Sequence, residues 1–389
     1  MANIKPLPKE LPEDDIITCI DDGTGIEKEE IEGDGKITEP FDPTLIRVNH
    51  KVMVIDLLVS RIKEKELDLM PDFQRKAGIW SDAVQSRLIE SILIRIPLPA
   101  FYMDGTDENN WLVVDGLQRL TTIDRFVIKN ELELTGLEFL NQIEGKTFKE
   151  LPRNLQRRIK ETQVTVYLIE RGTPADVKFN IFKRINTGGL PLSPQEIRHA
   201  LNQGDATKML DRLSKSIEFK RATDNGIHDK RMADQECVLR FIAFTITPYY
   251  KYKTKDFKDF DTFLNYNMGV LNKMSNQKRE DLEKQFLRSM VAAFGLFGKY
   301  AFRKLYKEGR DRNPINKALF EAWSVNLNQL TDEQLKILQQ KKDTLKQKFI
   351  DLMNNDRDFE DAISQGTGDI KKVDYRFRRI EKLLQEVLS

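Results

Sequence analysis

Val113-Val114-Asp115-Gly116-Leu117-Gln118-Arg119-Leu120-Thr121-Thr122 contains a change of period. Two β-branched residues lead into an Asp-Gly turn, and Leu117, Leu120, Ile123 and Val127 then repeat at helical spacing. A strand, a tight turn and a helix N-terminus together form a common anion-binding geometry. Within two helical turns of the corner lie a carboxylate (Asp115), an amide (Gln118), a guanidinium (Arg119) and two hydroxyls (Thr121, Thr122). A purely structural corner rarely needs so many polar groups after an apolar strand.

Upstream, Trp111 to Val114 reads as a strand, and Ala100-Phe101-Tyr102-Met103 as an extended segment set up by Pro97 and Pro99. Before these, Ser81 and Asp82 start a helix whose buried face is Leu88, Ile89, Ile92, Leu93 and Ile96. Leu67 to Leu69 is a short strand, Pro71 to Arg75 a loop, and Val52, Ile55, Leu58, Val59 and Ile62 follow helical spacing.

Downstream, a basic segment from Arg153 to Lys160 leads to the alternating strand Val164 to Ile169. A helix with Val177, Phe179, Ile181 and Phe182 ends at Asn186-Thr187-Gly188-Gly189, and Ser193 with Glu196 forms a capping box for the next. Beyond about residue 205 the pattern is helical: a buried helix around Val238 to Phe244, a spacing over 281–306, a capped start at Thr331, and a last helix from Asp374 to Leu388. The expected architecture is α+β followed by an all-helical domain. Its bounds are an acidic, flexible leader over 1–45, an α+β domain over 46–205 and a helical domain over 206–389.

Composition narrows the function. The chain has 389 residues, 40% hydrophobic and 32% charged, enough for a sizeable core. No apolar run is long enough to span a bilayer, and the acidic N-terminus lacks a signal pattern, so a cytoplasmic protein without a membrane partner is expected. Two cysteines, Cys19 and Cys237, support neither a disulfide framework nor a cysteine metal site. Residues 1–45 hold 13 acids and 4 bases, so the rest carries a net charge of +10. A basic body with an acidic arm is compatible with DNA binding and self-masking, and equally with a solvated surface and a loose leader. There is no Walker A sequence and no GxGxxG after a strand. His50, His199 and His228 offer no metal-ligand spacing and no Ser/His/Asp set.

Three polar clusters remain: Gln74-Arg75 before Trp80; Asp115 and Gly116 with Gln118 and Arg119; and Asn186 with Gly188-Gly189. Two arginines and a glycine-flanked helix start can hold a polyphosphate, and Asp115 with Asn186 can hold Mg²⁺ through oxygen and water. Singly, each has a plainer reading: a turn with Asp115 as helix cap, a surface or buried ion pair, a helix stop. The phosphate reading rests on their joint occurrence.

In combination these residues resemble one family. Phe73-Gln74-Arg75 with Trp80, Leu88 to Leu93, Pro97-Leu98-Pro99, Asp115-Gly-Leu-Gln-Arg119, and Phe182-x-x-x-Asn186 followed by Leu192-Ser193 are similar, in order and spacing, to the N-terminal domain of GmrSD-type restriction endonucleases over about 50–202. The resemblance continues more faintly around Asp234 to Phe241. It implies a ParB/sulfiredoxin-like fold, and nucleoside triphosphate (NTP) binding and hydrolysis coupled to recognition of foreign DNA in anti-phage defence. The family motifs map onto Gln74 and Arg75; onto Asp115, Gly116, Gln118 and Arg119; and onto Phe182 and Asn186.

The resemblance then implies an Mg²⁺-dependent nucleoside triphosphate hydrolase. In it Asp115 orients Mg²⁺ or the attacking water, Arg75 and Arg119 neutralise phosphate charge, and Gln74, Gln118 and Asn186 position phosphate or water. Two positions depart from the family. Leu117 stands where its commonest form has Gln, and no histidine follows His228, so no HNH nuclease is expected here and a separate nuclease subunit is the expected cutter. The expected partners are NTP, DNA and that subunit, with a homodimer open. Two alternatives stand beside this reading: a non-catalytic ParB-like clamp or adaptor for nucleotide or DNA, and an effector restrained by its acidic leader.

Overall fold

The computed structural model describes residues 25–27, 29, 46–69, 80–185, 192–228, 231–252, 256–257, 259–309 and 312–389. The first part is a five-stranded sheet in the order β1-β5-β3-β4-β2. Its strands are β1 (Val48–Val54), β2 (Leu67–Asp68), β3 (Phe101–Asp104), β4 (Trp111–Asp115) and β5 (Gln163–Ile169). The pairs β1–β5 and β3–β4 are antiparallel; β3–β5 and β2–β4 are parallel. Among the described residues six α-helices accompany it: α1 (Ile55–Lys63), α2 (Asp82–Leu93), α3 (Leu117–Ile123, continued by a π turn over Asp124–Ile128), α4 (Arg153–Glu161), α5 (Ala175–Ile185) and α6 (Pro194–Leu201).

Alternation in the strands divides the core. Phe101, Met103, Trp111, Val113 and Val166 face one side and pack with Ile55, Ile89, Ile92 and Leu120 from α1, α2 and α3. Val114 and Ile169 face the other side, under Phe179 and Phe182 of α5 and Ile197 of α6. A buried ion pair, Lys178 Nζ to Asp104 Oδ2 at 2.9 Å, fixes α5 against the end of β3.

The second part is helical: α7 (Asp205–Ser214), α8 (Ile217–Ala222), α9 (Ala233–Ile246), α10 (Phe260–Lys273), α11 (Asn276–Phe297), α12 (Lys317–Asn328), α13 (Asp332–Gln340), α14 (Lys342–Asn355), α15 (Arg357–Ser364) and α16 (Ile370–Leu388). Every residue of α9 from Ala233 to Phe244 is buried, as expected of a helix enclosed on all sides. The α+β part with a helical part after it is therefore the observed fold class. Ion pairs join the two: Arg198 of α6 to Asp261 of α10 at 2.7 Å and to Glu236 of α9 at 3.5 Å, and Glu196 to Arg231 at 3.1 Å.

Two expectations change. Val52 belongs to strand β1, and the helix starts only at Ile55. The short run Val48 to Val54 suits either period, and pairing along all of β5 decides it. The helix before Pro97 stops at Leu93, because Arg95 turns to φ +66°, and Ile96 is half exposed. Four residues of the leader, 25–27 and 29, are described, and contacts with the helical part anchor them. Ile26 is fully buried and bridges to Ile315; Glu27 pairs with Lys304 at 2.7 Å, and Glu29 with Arg240 at 2.7 Å. The physical reason is charge: buried cations of the helical part take their partners from the acidic arm.

Candidate functional site

The corner after β4 takes the expected path. Gly116 sits at φ +97°, in the left-handed region, at the N-terminus of α3. Glycine is required twice over, since a Cβ here would also run into the ring of Phe101. Gly116→Ala is therefore expected to cost about 2 to 4 kcal/mol, combining the left-handed penalty with overpacking. Denaturant unfolding of the variant checks this; a loss under about 0.5 kcal/mol, the scale of an ordinary surface change, would show that the corner relaxes freely.

Leu117 points into the core at 7% exposure, so the family's Gln position is filled here by an apolar anchor of α3. Asp115 does not cap the helix. Its Oδ2 accepts from Arg119 Nη2 at 2.9 Å, and the carboxylate also accepts the N–H of Gly116. Burial raises the Asp115 pKa above the usual aspartate value, outweighing the lowering by Arg119 and the Gly116 N–H. A half-buried carboxylate with a raised pKa beside a backbone corner can accept a proton or orient water.

Arg119 differs from its expected role. Only 8% exposed, it donates through Nη1 to the Pro99 carbonyl and through Nη2 to Ala100 O at 3.2 Å as well as to Asp115. Its guanidinium lies 4.5 Å from the centre of the Phe101 ring. Burial pushes its pKa below the usual arginine value despite Asp115. Arg119 thus ties β3, its Pro-rich approach and Asp115 together, and both Nη2 hydrogens are committed inside the protein.

Gln118 Oε1 accepts from the backbone N–H of Trp80 at 3.3 Å. Gln74, Arg75 and Asn186 lie outside the described residues, but the chain next to each is anchored at this corner. Trp80, after Gln74-Arg75, is held by Gln118. Phe182, four residues before Asn186, packs in one cluster with Val114 of β4, and Leu192 joins that cluster on the far side.

One group at the corner escaped the sequence reading. Tyr102 lies opposite Asp115 across β3–β4, and its ring stacks on Tyr167, centroids 5.0 Å apart at 20°. Only the strand register could have shown it.

Among the described residues, no group of three or more His, Cys, Asp or Glu side chains is placed to hold a metal ion. Asp115 alone, with one oxygen on Arg119, suits a divalent cation shared with phosphate oxygens and water rather than a protein cage. The polar residues of Asp234 to Arg240, where the fainter resemblance lay, serve packing: Glu236 and Arg240 pair with each other at 2.8 Å in the helical core. Among the described residues, no helix is long and apolar enough to cross a membrane.

Residues 55–202 match the family described as GmrSD restriction endonuclease, N-terminal domain. No curated protein matches the chain.

Proposed function

We propose, for a chain whose residues 55–202 form a GmrSD-type restriction endonuclease N-terminal domain, that it is the nucleotide-binding and hydrolysing control subunit of a GmrSD-like restriction system. The observation supporting this reading most is the Asp115 carboxylate. It is half-buried, raised in pKa and fixed by Arg119 at a glycine corner next to which Trp80 and Phe182 are also held.

In this reading Asp115 orients the attacking water and accepts its proton. Arg119 is a positioning residue. It holds Asp115 and strand β3 in place, and Arg75 supplies the charge facing the phosphates. Gln74 and Asn186 contribute further phosphate contacts, and Gln118 holds the returning chain at Trp80. Mg²⁺, when bound with the nucleotide, would be held by phosphate oxygens and water and would supply charge neutralisation at the phosphates. The helical part contacts DNA or a separate nuclease subunit, which carries out cleavage in a cytoplasmic defence complex.

The test is phosphate release by the purified chain with Mg²⁺ and each of the four common NTPs. Turnover that survives in Asp115→Asn would overturn the site assignment. A second reading, a clamp that binds nucleotide without hydrolysis, is favoured by one observation: Leu117 and Arg119 are both committed to packing rather than to an open pocket. Tight NTP binding without phosphate release would establish that reading instead.

A further inference from the structure

Strands β1, β5, β3 and β4 lie side by side, and their register sets His50 opposite Tyr167, Tyr167 opposite Tyr102, and Tyr102 opposite Asp115. Residues paired across neighbouring strands share a sheet face, so these four side chains form one row. Strict alternation along β4 would put Asp115 on the face of Trp111 and Val113, inside the core. An irregularity at Tyr102/Met103 prevents this: Met103 pairs with Val113 and Tyr102 with Asp115, leaving Val114 as an extra residue. A bulge of this kind re-aims the side chain that follows it.

The rings are in contact. Tyr102 and Tyr167 stack as described above, and His50 lies 5.4 Å from Tyr167 at 41°. The phenol of Tyr102 has a raised pKa, from burial first, then from Tyr167 and the Asp115 charge. The row therefore runs from the β1 edge to Asp115. Helices α5 and α6 cover Val114 and Ile169 on this face. Toward β1 it stays open: Val52 and Val54, which share the face of His50, are 59% and 37% exposed.

We propose that the Tyr102–Tyr167 pair is the base platform of the nucleotide site. The base lies against these rings while the phosphates reach the Asp115–Gly116 corner. This deepens the hydrolase reading and rests on it. Two strand spacings, about 10 Å, separate Tyr167 from Asp115, on the scale of a nucleotide from base to phosphates. Every base has a π face, so a stacking platform accepts all four with a preference for the larger purines. The plainer role for such a row is a cross-strand ladder that only stabilises the sheet.

Binding of NTP and of inorganic tripolyphosphate to the full chain, measured by calorimetry, separates the two roles. Tyr102→Leu should weaken NTP binding about tenfold, within the range for loss of one base–aromatic stack, and leave tripolyphosphate within about twofold. Tyr102→Trp should restore NTP binding. If Tyr102→Leu does not fold, Tyr167→Leu, at the other ring of the stack, carries the same expectation. Unchanged NTP binding in a folded leucine variant, or an equal loss for both ligands, overturns the platform while the hydrolase reading stands. No NTP binding by the unaltered chain overturns both.

Discussion

Asp115→Asn should lower NTP turnover at least about a hundredfold, the usual contribution of a positioned general base, and leave the fold intact. Asparagine is nearly isosteric and its carbonyl can still accept from Arg119 and from the Gly116 N–H, so the corner keeps its shape. It cannot take a proton. The pH dependence provides an independent check. Burial holds the Asp115 pKa above the ordinary aspartate value, and a base works only when ionised. Turnover should therefore fall as pH is lowered through that raised pKa, with the acid limb displaced upward from the usual carboxylate range. The limb should be absent from the residual rate of Asp115→Asn. A variant that keeps both the rate and the limb would show that another group is the base. Nucleotide binding should change far less than the rate.

Arg240→Met should cost about 3 to 5 kcal/mol, because it removes the shared partner of a buried charge cluster. Arg240 is 3% exposed on its side chain and reaches three carboxylates: Glu29 at 2.7 Å, Glu236 at 2.8 Å and Glu321 at 3.4 Å. Lys317 meets Glu236 at 3.2 Å, and Arg376 Nε meets Glu321 at 3.0 Å. Without Arg240, Glu29 keeps only the more distant Lys317, at 3.7 Å, as a cation partner among the described residues. Thermal unfolding should fall by roughly 10 °C or more for a loss of this size.

The same cluster makes the leader acid-sensitive. Glu29 is held at about 2 from an ordinary 4.5; burial alone would raise it, and the attraction of Arg240 and Lys317 outweighs that. Because the folded pKa is depressed, its contribution is complete above about pH 4.5 and is lost as pH falls toward 2. Hydrogen exchange at Glu27, whose N–H donates to the Ile315 carbonyl at 2.8 Å, should accelerate over that window before the helical core opens. Glu29→Gln should exchange rapidly there already at neutral pH. Protection at Glu27 that ignores both changes would mean that apolar packing of Ile26 holds this segment.

Local features were legible in the sequence because their partners lie within a few residues. The Asp115-Gly116 corner needs only a positive φ and the switch to helical period, and Leu117 was readable as an apolar face position. The capping boxes at Ser193 and Thr331 are closed by side chains three residues on. What was missed depends on distant chain. Val52 was misplaced because a seven-residue strand takes its identity from its neighbour β5. Arg119 resembled a phosphate ligand, and only its approach to the carbonyls of Pro99 and Ala100 shows it as a clamp. Which leader residues are anchored is not legible either, because Arg240 lies 211 residues from Glu29.

By itself the sequence determined the order of an α+β part and a helical part, the glycine corner and the family likeness of residues 55–202, since each is written in short-range spacing and residue type. Only the tertiary structure decided that Asp115 faces an aromatic row, that Arg119 faces inward and that Glu27 and Glu29 are bound. Strand register, burial and ion pairing are set by which distant residues meet, and no local spacing encodes that.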